Sequence, residues 1–140
     1  MEKTDRRIVD LLRADGRMSY TDLGKELGLS TSAVHQRVRR LEERGVITGY
    51  AAKVDHSSVG NPLTAFISIT PLDPSAPDDV PDRLRGIKEI EECHSVAGDM
   101  SYVLKVRVAA PVGLEELIAK VRGAANVSTR TTVVLSTPWE

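Results

Sequence analysis

Hydrophobic residues in the first third of the chain recur at helical spacing. Ile8, Leu11 and Leu12 lie on one face of the first such segment. Asp5 is placed to cap its start, and the pair Asp15-Gly16 ends it. The pattern predicts a first helix between those two signals.

Two further helices follow, and both have recognisable ends. The second is predicted for residues 20–27, after Ser19 as an N-cap and before a glycine. The third begins at Ser30 or Thr31, whose hydroxyls accept free backbone amides, and runs to Arg44 before another glycine. Because a short turn separates the two helices and the earlier one is short, the arrangement predicts a helix-turn-helix.

The second half of the chain alternates between strand-like and helix-like spacing. Apolar and polar residues alternate in the strands, and apolar residues three or four positions apart mark two helices. In chain order the predicted elements are strand 63–70, helix 80–90, strand 91–97, strand 102–108, helix 114–121 and strand 127–135. The order β-α-β-β-α-β is that of a ferredoxin-like fold. The whole chain therefore belongs to the α+β class.

The region between the two halves has its own composition. Residues 46–54 are rich in β-prone side chains, which predicts a short wing or a linking strand. Residues 56–62 contain Ser-Ser, Gly and Asn-Pro, which are typical of a hinge. We expect a winged helix-turn-helix domain in residues 1–50, a linker strand and hinge in 51–62, and a second domain in 63–140.

One face of the predicted sheet has no helix to cover it, because both helices of a βαββαβ unit pack on the same side. The alternation places apolar residues among polar ones on that face: Phe66, Val96, Val103 and Val134 among Thr64, Ser68, His94, Lys105 and Arg107. Such a face is either an ordinary mixed surface or an interface with a second subunit. Its apolar content favours the interface.

The net charge is −1 over 140 residues, but the charges are unevenly distributed. Residues 1–50 contain ten Lys and Arg against eight Asp and Glu, whereas residues 51–140 contain nine against twelve. Four arginines fall within eight positions of the third helix: Arg37, Arg39, Arg40 and Arg44. Such a local cluster indicates nucleic-acid binding.

Several function classes find no support in the composition. There is no apolar run of about 18 residues that would cross a membrane, and the N-terminus does not read as a signal peptide. The single Cys93 has no partner for an intramolecular disulfide. His35, His56 and His94 have no ligand-like spacing, so no metal or other cofactor is predicted. We expect a cytoplasmic, nucleoid-associated protein with no membrane partner.

The third helix has two chemically different faces. Val34, Val38 and Leu41 fall on the side that faces the core. Elsewhere the helix offers Arg and Gln, which bond guanine and adenine, and Ser, which bonds bases or phosphate. Free amides at its N-terminus also bind phosphate. The candidate DNA contacts are Ser30, Thr31, Ser32, His35, Gln36, Arg37, Arg39 and Arg40. An ordinary solvated helix face is the alternative.

Four stretches of the chain together resemble the Lrp/AsnC, or feast/famine, family of transcriptional regulators. Two lie in front, DRRIVDLLRADGRMSYTDLGKELGLS and TSAVHQRVRRLEERGVITGYAAKVD. Two lie behind, SVAGDMSYVLKVRV and ANVSTRTTVVL. The likeness covers nearly the whole chain, is more specific in the front pair, and is nearest to actinobacterial members.

The resemblance implies a winged helix-turn-helix followed by a ferredoxin-like effector domain that senses amino acids and dimerises through its sheet. It implies double-stranded DNA, an amino-acid effector and further copies of the chain as partners, with assembly of homodimers into an octamer or a related ring. The effector site of the family, between dimers, maps here onto Gly98, Asp99, Met100, Ser101 and Tyr102, with Thr129 and Thr131 from a neighbouring subunit.

The effector loop departs from the family pattern at one position. Many members have a second Asp where this chain has Ser101. If that carboxylate binds the ammonium group of the effector, then either Asp99 takes that role here or the ligand preference has changed. From the residues alone, without the family resemblance, Gly98-Asp99 is interpreted as a simple turn between two strands.

Two other functions compete with that of a regulator. Decarboxylases of modified haem precursors resemble the same family, but they would combine a degraded recognition helix with a tetrapyrrole pocket lined by His and Arg. The third helix here keeps its polar face, and no phosphate loop or nucleophile motif is present. The chain is therefore not expected to be an enzyme. The other alternative is an amino-acid sensor that no longer binds DNA.

Overall fold

The computed structural model describes all 140 residues and divides them into two compact units. The first unit is Met1–Lys53 and the second is Val54–Glu140. No helix in either unit combines the length and the apolar content that a bilayer crossing requires.

Three helices form the first unit. They are α1 (Lys3–Ala14), α2 (Tyr20–Leu27) and α3 (Thr31–Glu43). One side of each helix faces a common core, which consists of Ile8, Leu12, Leu23, Val34, Val38 and Leu41. The three predicted helices are therefore confirmed. The apolar side chains whose spacing predicted them form the core that stabilises the unit.

Two of the three predicted N-caps are confirmed. The Oγ of Ser19 accepts the N–H of Asp22 at 3.0 Å, and the Oγ of Ser30 accepts the N–H of Ala33 at 3.1 Å. The cap predicted at Asp5 is wrong. Helix α1 begins after Glu2, so Asp5 lies in its first turn. The carboxylate of Asp5 binds an arginine of α3 instead of a backbone amide.

The strand predicted within residues 46–54 is not formed. Val46 and Ile47 both donate their N–H groups to the carbonyl of Leu41, at 2.9 and 3.1 Å, which closes the end of α3. The residues after Ile47 are irregular. β-prone side chains do not make a strand without a neighbouring strand to pair with, and the first unit contains none.

The second unit has the predicted βαββαβ order. Its elements are β1 (Leu63–Pro71), α4 (Val80–Leu84), β2 (Ile90–Ser95), β3 (Tyr102–Val108), α5 (Pro111–Ala125) and β4 (Val127–Val133). The strands form one antiparallel sheet in the order β2-β3-β1-β4. In the two central strands, Ile67 lies opposite Leu104, and both are fully buried beneath α4 and α5.

Helix α4 is shorter than the sequence predicted. It ends at Leu84 rather than near residue 90. Gly86 follows with a φ of 100°, a left-handed conformation that stops a helix. Ile87 still contributes to the core, but from non-helical backbone. The apolar spacing therefore identified the buried residues correctly and the helix end incorrectly.

The face of the sheet opposite the helices has no covering element within its unit. Phe66 and Val96 are each 38% exposed there. In β3, the partly exposed Val103, Lys105 and Arg107 alternate with buried residues. The predicted open, half-apolar face is thus present.

Candidate functional site

A close backbone contact fixes the turn between α2 and α3. Leu29 donates its N–H to the carbonyl of Gly24 at 2.9 Å. A Cβ added to Gly24 would lie only 2.5 Å from the carbonyl oxygen of Leu29. Gly28 ends α2 with a φ of 69°, in the left-handed region that glycine favours. The two glycines allow α3 to begin directly beside the end of α2.

Helix α3 presents a polar face to solvent. Its buried side chains are Val34, Val38 and Leu41. Seven of the eight candidate DNA contacts are exposed: Ser30, Thr31, Ser32, His35, Gln36, Arg39 and Arg40. They share one surface, which we call the α3 surface.

Two free amides lie at the start of the α3 surface. The hydroxyl of Ser30 serves the N–H of Ala33 and lies 3.3 Å from the Oγ of Ser32. The N–H groups of Thr31 and Ser32 have no partner in the chain, as expected for the first turn of a helix. Together with the positive end of the helix dipole, they suit a phosphate.

The middle of the α3 surface combines an arginine held in place with a histidine packed on an aromatic ring. The Nε of Arg39 donates to Oε1 of Glu43 at 3.0 Å, which leaves both terminal nitrogens of Arg39 free. The ring of His35 meets the ring of Tyr20 edge to face, with centroids 5.3 Å apart. Both contacts limit side-chain freedom without using the groups that reach outward.

Arg37 differs from the other arginines of α3. Its Nη1 lies 2.9 Å from both Oε2 of Glu2 and Oδ1 of Asp5, and its side chain is only 24% exposed. The hydrogen bonds to Glu2 and then Asp5 raise the pKa of the Arg37 guanidinium. The structure therefore does not support Arg37 as a DNA contact, because its charge is already used to attach α1 to α3.

A second candidate site lies in the other unit, where the loop between β2 and β3 meets the loop after β1. These loops enclose a cavity of about 510 Å³, which we call the effector cavity. Four of the five loop residues predicted from the family line it: Gly98, Met100, Ser101 and Tyr102. Asp99 is exposed and does not line it.

The acidic groups of the effector cavity come from the loop after β1. Asp78 and Asp73 both line the cavity. The hydroxyl of Tyr102 donates to Oδ1 of Asp78, and that bond is the largest cause of the raised pKa of Tyr102. Bonds from the hydroxyl and N–H of Ser75 hold the pKa of Asp73 below its ordinary value.

Both carboxylates lie between the predicted strand 63–70 and the predicted helix 80–90, a connection to which the sequence pattern assigned no function. The strand order is the information that could have located them. Since β1 runs antiparallel to β3, the end of β1 must lie beside the start of β3. Any polar residue just after β1 is then a neighbour of the loop that precedes β3.

The loop between β2 and β3 also contains backbone N–H groups that could bind an anion. Ser101 donates its N–H to the carbonyl of Ile69 at 3.0 Å and is therefore not free to bind an anion. Gly98 has a φ of 152°, which only glycine adopts readily. The N–H groups of Gly98, Asp99 and Met100 have no partner in the chain. Of the four backbone N–H groups in the loop Gly98–Ser101, three are therefore free to bind an anion.

Thr129 and Thr131 lie elsewhere in the unit. They occupy the side of β4 that faces the helices, opposite Ile69 and Ile67 of β1. The Oγ1 of Thr129 accepts a hydrogen bond from Nε of Arg122 at 3.0 Å. Neither threonine lines the effector cavity of its own chain.

Two family models match the chain in sequence. The model described as winged helix-turn-helix DNA-binding matches residues 1–48. The model described as Lrp/AsnC ligand binding domain matches residues 64–140. The two matches fall in the helical unit and in the sheet-containing unit, respectively.

Similar proteins are regulators. The HTH-type transcriptional regulator LrpA of Mycobacterium tuberculosis is 53% identical over 137 residues, which cover 98% of this chain and 91% of that protein. The leucine-responsive regulatory protein of Escherichia coli K12 is 37% identical, with 96% of this chain and 85% of that protein covered. These relatives are named as transcriptional regulators, which decides against the decarboxylase alternative.

Solved structures show the same fold. The feast or famine regulatory protein from M. tuberculosis, complexed with L-methionine, has a TM-score of 0.97 and 52% identity, and the match covers 99% of this chain and 95% of that one. The structure of B. subtilis LrpC has a TM-score of 0.87 and 28% identity, with coverage of 98% and 96%.

Proposed function

This chain belongs to the Lrp/AsnC family of transcriptional regulators, and from that membership we propose that α3 is a recognition helix that reads operator DNA in the major groove. One observation carries the proposal. The exposed side of α3 offers hydrogen-bonding side chains and free amides, while its large apolar residues Val34, Val38 and Leu41 are buried in the core. A helix of this composition suits the width and chemistry of the major groove.

Different parts of the α3 surface have different tasks in this proposal. Gln36 and Arg39 bond base edges, because they are exposed on the side opposite the core. Thr31 and Ser32 bind a phosphate through their free amides, and Arg40 binds another as an exposed cation. Arg37 is assigned to holding α1 against α3 rather than to DNA.

Arginine replacements test these tasks. Arg39→Ala should weaken binding to the operator by about 1–3 kcal/mol and relax the sequence preference at one position. Arg40→Ala should weaken binding to all duplexes similarly and make affinity less dependent on salt. Fluorescence anisotropy with operator and random duplexes measures both effects.

The control is Arg83→Ala in α4, because Arg83 is exposed in the other unit and pairs only with Asp79. It should bind as the wild type does. Unchanged operator affinity in Arg39→Ala would show that another side of α3 faces DNA. If the wild type bound no duplex even at low salt, the chain would be a sensor without DNA binding.

We also infer that the effector cavity takes a free amino acid. A similar protein is named as complexed with L-methionine. The cavity here supplies the complementary groups: carboxylates for an ammonium, and the free amides of Gly98 and Met100 for a carboxylate. We assign the ammonium to Asp78, which lines the cavity, with Asp99 as the alternative acceptor. Met100 then favours an apolar side chain.

Calorimetry against the twenty amino acids tests this assignment. Asp78→Asn should weaken the best ligand about tenfold or more, since it removes the charge that pairs with the ammonium. Asp99→Asn is the matched control and should bind as the wild type does. If the two results were exchanged, Asp99 would be the acceptor. If no amino acid bound at millimolar concentration, the cavity would have no sensing role.

Assembly completes the proposed function. We infer that two copies pack through the open sheet face and that dimers associate further, with an octamer as the expected state. Thr129 and Thr131 would then approach the effector cavity only from a neighbouring copy. Because ligand and assembly would share contacts, effector binding should shift the oligomer equilibrium, and assembly should change effector affinity. Light scattering with and without the best ligand measures that linkage.

A further inference from the structure

A second polar cavity lies at the opposite end of the sheet, where β1 begins and β3 ends. Its volume is about 550 Å³. It shares no lining residue with the effector cavity. Its walls are the segment before β1, the segment before β2 and one side of α5. The charged residues that line it are Lys88, Glu89, Glu116 and Lys120, besides a paired Glu91 and Arg107, and His56 lines it as well.

Only one pair of opposite charges in this cavity is satisfied by the protein. The Nε of Arg107 lies 2.6 Å from Oε1 and 2.9 Å from Oε2 of Glu91, and its Nη1 donates to Thr64 at 2.7 Å. Lys88, Glu89, Glu116 and Lys120 take part in no ion pair within 4.0 Å. Charges of both signs therefore line one cavity without neutralising each other.

One oxygen atom among these charged groups is buried. The Oε2 atom of Glu89 is buried and has no hydrogen-bond partner, and it is the only buried side-chain oxygen or nitrogen in the chain of which this is true. A buried acceptor without a donor is unfavourable, and a buried carboxylate oxygen more so. The protein supplies no donor for this oxygen, and because the Glu89 side chain is partly exposed and lines the cavity, rotation of its carboxylate would let a ligand in the cavity supply one.

We propose that this cavity binds a small zwitterion, a molecule with an ammonium group and a carboxylate, as a second site independent of the effector cavity. The ammonium bonds Glu89 and lies near Glu116, and the carboxylate lies near Lys120 and Lys88. A simple cation would satisfy Glu89 but leave two lysines unpaired. A simple anion would leave Glu89 unpaired. Only a ligand with both charges suits all four residues.

The cavity includes the segment that leads from the helical unit into β1. His56 and Asn61 both line it, and Asn61 donates its N–H to the carbonyl of His56 at 2.9 Å. Residues 56–61 follow shortly after Lys53, the end of the first unit. A ligand held against these residues restrains the hinge, so hydrogen exchange of residues 56–61 should slow when the site is filled.

The test is made in the full chain carrying both Asp78→Asn and Asp99→Asn, which removes both candidate ammonium acceptors of the effector site and leaves the second cavity intact. The twenty L-amino acids are titrated one by one by calorimetry. At least one should bind with one site per chain. Adding Glu89→Gln, which keeps the shape of the side chain, or Lys120→Gln should weaken that ligand about tenfold or more. Glu115→Gln, on α5 but outside the cavity, is the matched control.

Each result decides the proposal separately from the effector hypothesis. If no amino acid bound the chain with both Asp78→Asn and Asp99→Asn, the second site would be refuted, whatever the wild type bound. Equal binding in the Glu89→Gln chain would refute it as well. Ethylamine and acetate are the single-charge probes. If either bound as tightly as the best amino acid, the site would be one for a simple ion and the zwitterion proposal would be wrong.

Discussion

Arg37 illustrates how a single residue changes role when its neighbours are known. Helical spacing places it at the edge of the buried side of α3, next to four candidate DNA contacts. The fold brings Glu2, just before α1, and Asp5, in the first turn of α1, to within 2.9 Å of its Nη1. Asp5 is itself only 14% exposed, so the pair is partly shielded from water. A guanidinium held in this way contributes to the joint between α1 and α3 rather than to the outer surface.

The hydrogen bond from Tyr102 to Asp78 should make the stability of the folded chain depend on pH. Its hydroxyl donates to Asp78, so ionisation of the phenol removes the bond and places two negative charges together. The pKa of Tyr102 is therefore raised above its ordinary value of about 10. Stability from this bond is complete below pH 10 and is lost as pH rises through the folded-state pKa.

Two variants separate the contributions to this pH dependence. Tyr102→Phe should be less stable than the wild type below pH 10, and the difference should disappear in stronger alkali. Asp78→Asn should let Tyr102 ionise at lower pH, as measured by ultraviolet titration of the phenolate. A stability difference between Tyr102→Phe and the wild type that persisted at the highest pH would mean that packing, not the hydrogen bond, is responsible.

At the scale of an element, the close contact in the turn between α2 and α3 predicts how Gly24→Ala changes stability. Alanine is a better helix former than glycine by about 1 kcal/mol, so Gly24→Ala would stabilise an isolated α2. In the fold, the new Cβ would lie 2.5 Å from the carbonyl oxygen of Leu29, which is backbone and cannot move alone. We expect a net loss of about 1–3 kcal/mol in the free energy of unfolding, as for other overpacked sites.

Gly123→Ala is the matched control for Gly24→Ala. Gly123 also lies inside a helix, α5, but an added Cβ would meet nothing within 4 Å. The same substitution should therefore stabilise by up to about 1 kcal/mol. Chemical denaturation measures both variants, and hydrogen exchange of α2 and α3 locates the loss. A stable Gly24→Ala chain with full DNA affinity would contradict the role of this contact in placing α3.

Helix caps and other features could be predicted from the sequence where the interactions that form them join residues close together in the chain. The caps at Ser19 and Ser30 depend on residues three positions away, and both were correct. The strand expected in residues 46–54 failed because a strand depends on a partner. For the same reason the sequence located the loop at Gly98 but not Asp78, since only strand order brings those two loops together.

The charges on the α3 surface were found from the sequence because helical periodicity alone separates an inner side from an outer one. What periodicity does not contain is which charges are already paired. Arg37 binds α1 and Arg39 binds Glu43, although both lie within the same four-residue run of α3. Contacts between elements decide those roles, and they require the folded structure.

At the scale of the whole molecule, the open sheet face stands out because no element of its own unit covers it. Its centre is apolar, with Phe66 and Val103 on the adjacent strands β1 and β3. Charged side chains lie beside these apolar ones, since Lys105 is the cross-strand partner of Phe66 and its Nζ lies 3.6 Å from Oε2 of Glu92. Protein interfaces also combine apolar and polar side chains, so this mixed composition is compatible with an interface. A two-fold axis through the centre would place each patch against its own copy.

Val103→Asp tests this interface, because it places a charge in the centre of the face without changing the core side of β3. An aspartate with no partner that is buried between two copies costs several kcal/mol, so the dimer should dissociate or aggregate. Val112→Asp is the control: Val112 is 63% exposed in the first turn of α5, where an acidic residue suits the helix dipole. Multi-angle light scattering should show the wild type and Val112→Asp at the same mass and Val103→Asp at a smaller one or as aggregate. An obligate interface of this type buries more than about 2,000 Å² and persists at micromolar concentration, so a monomeric wild type in that range would leave the sheet face as an ordinary mixed surface.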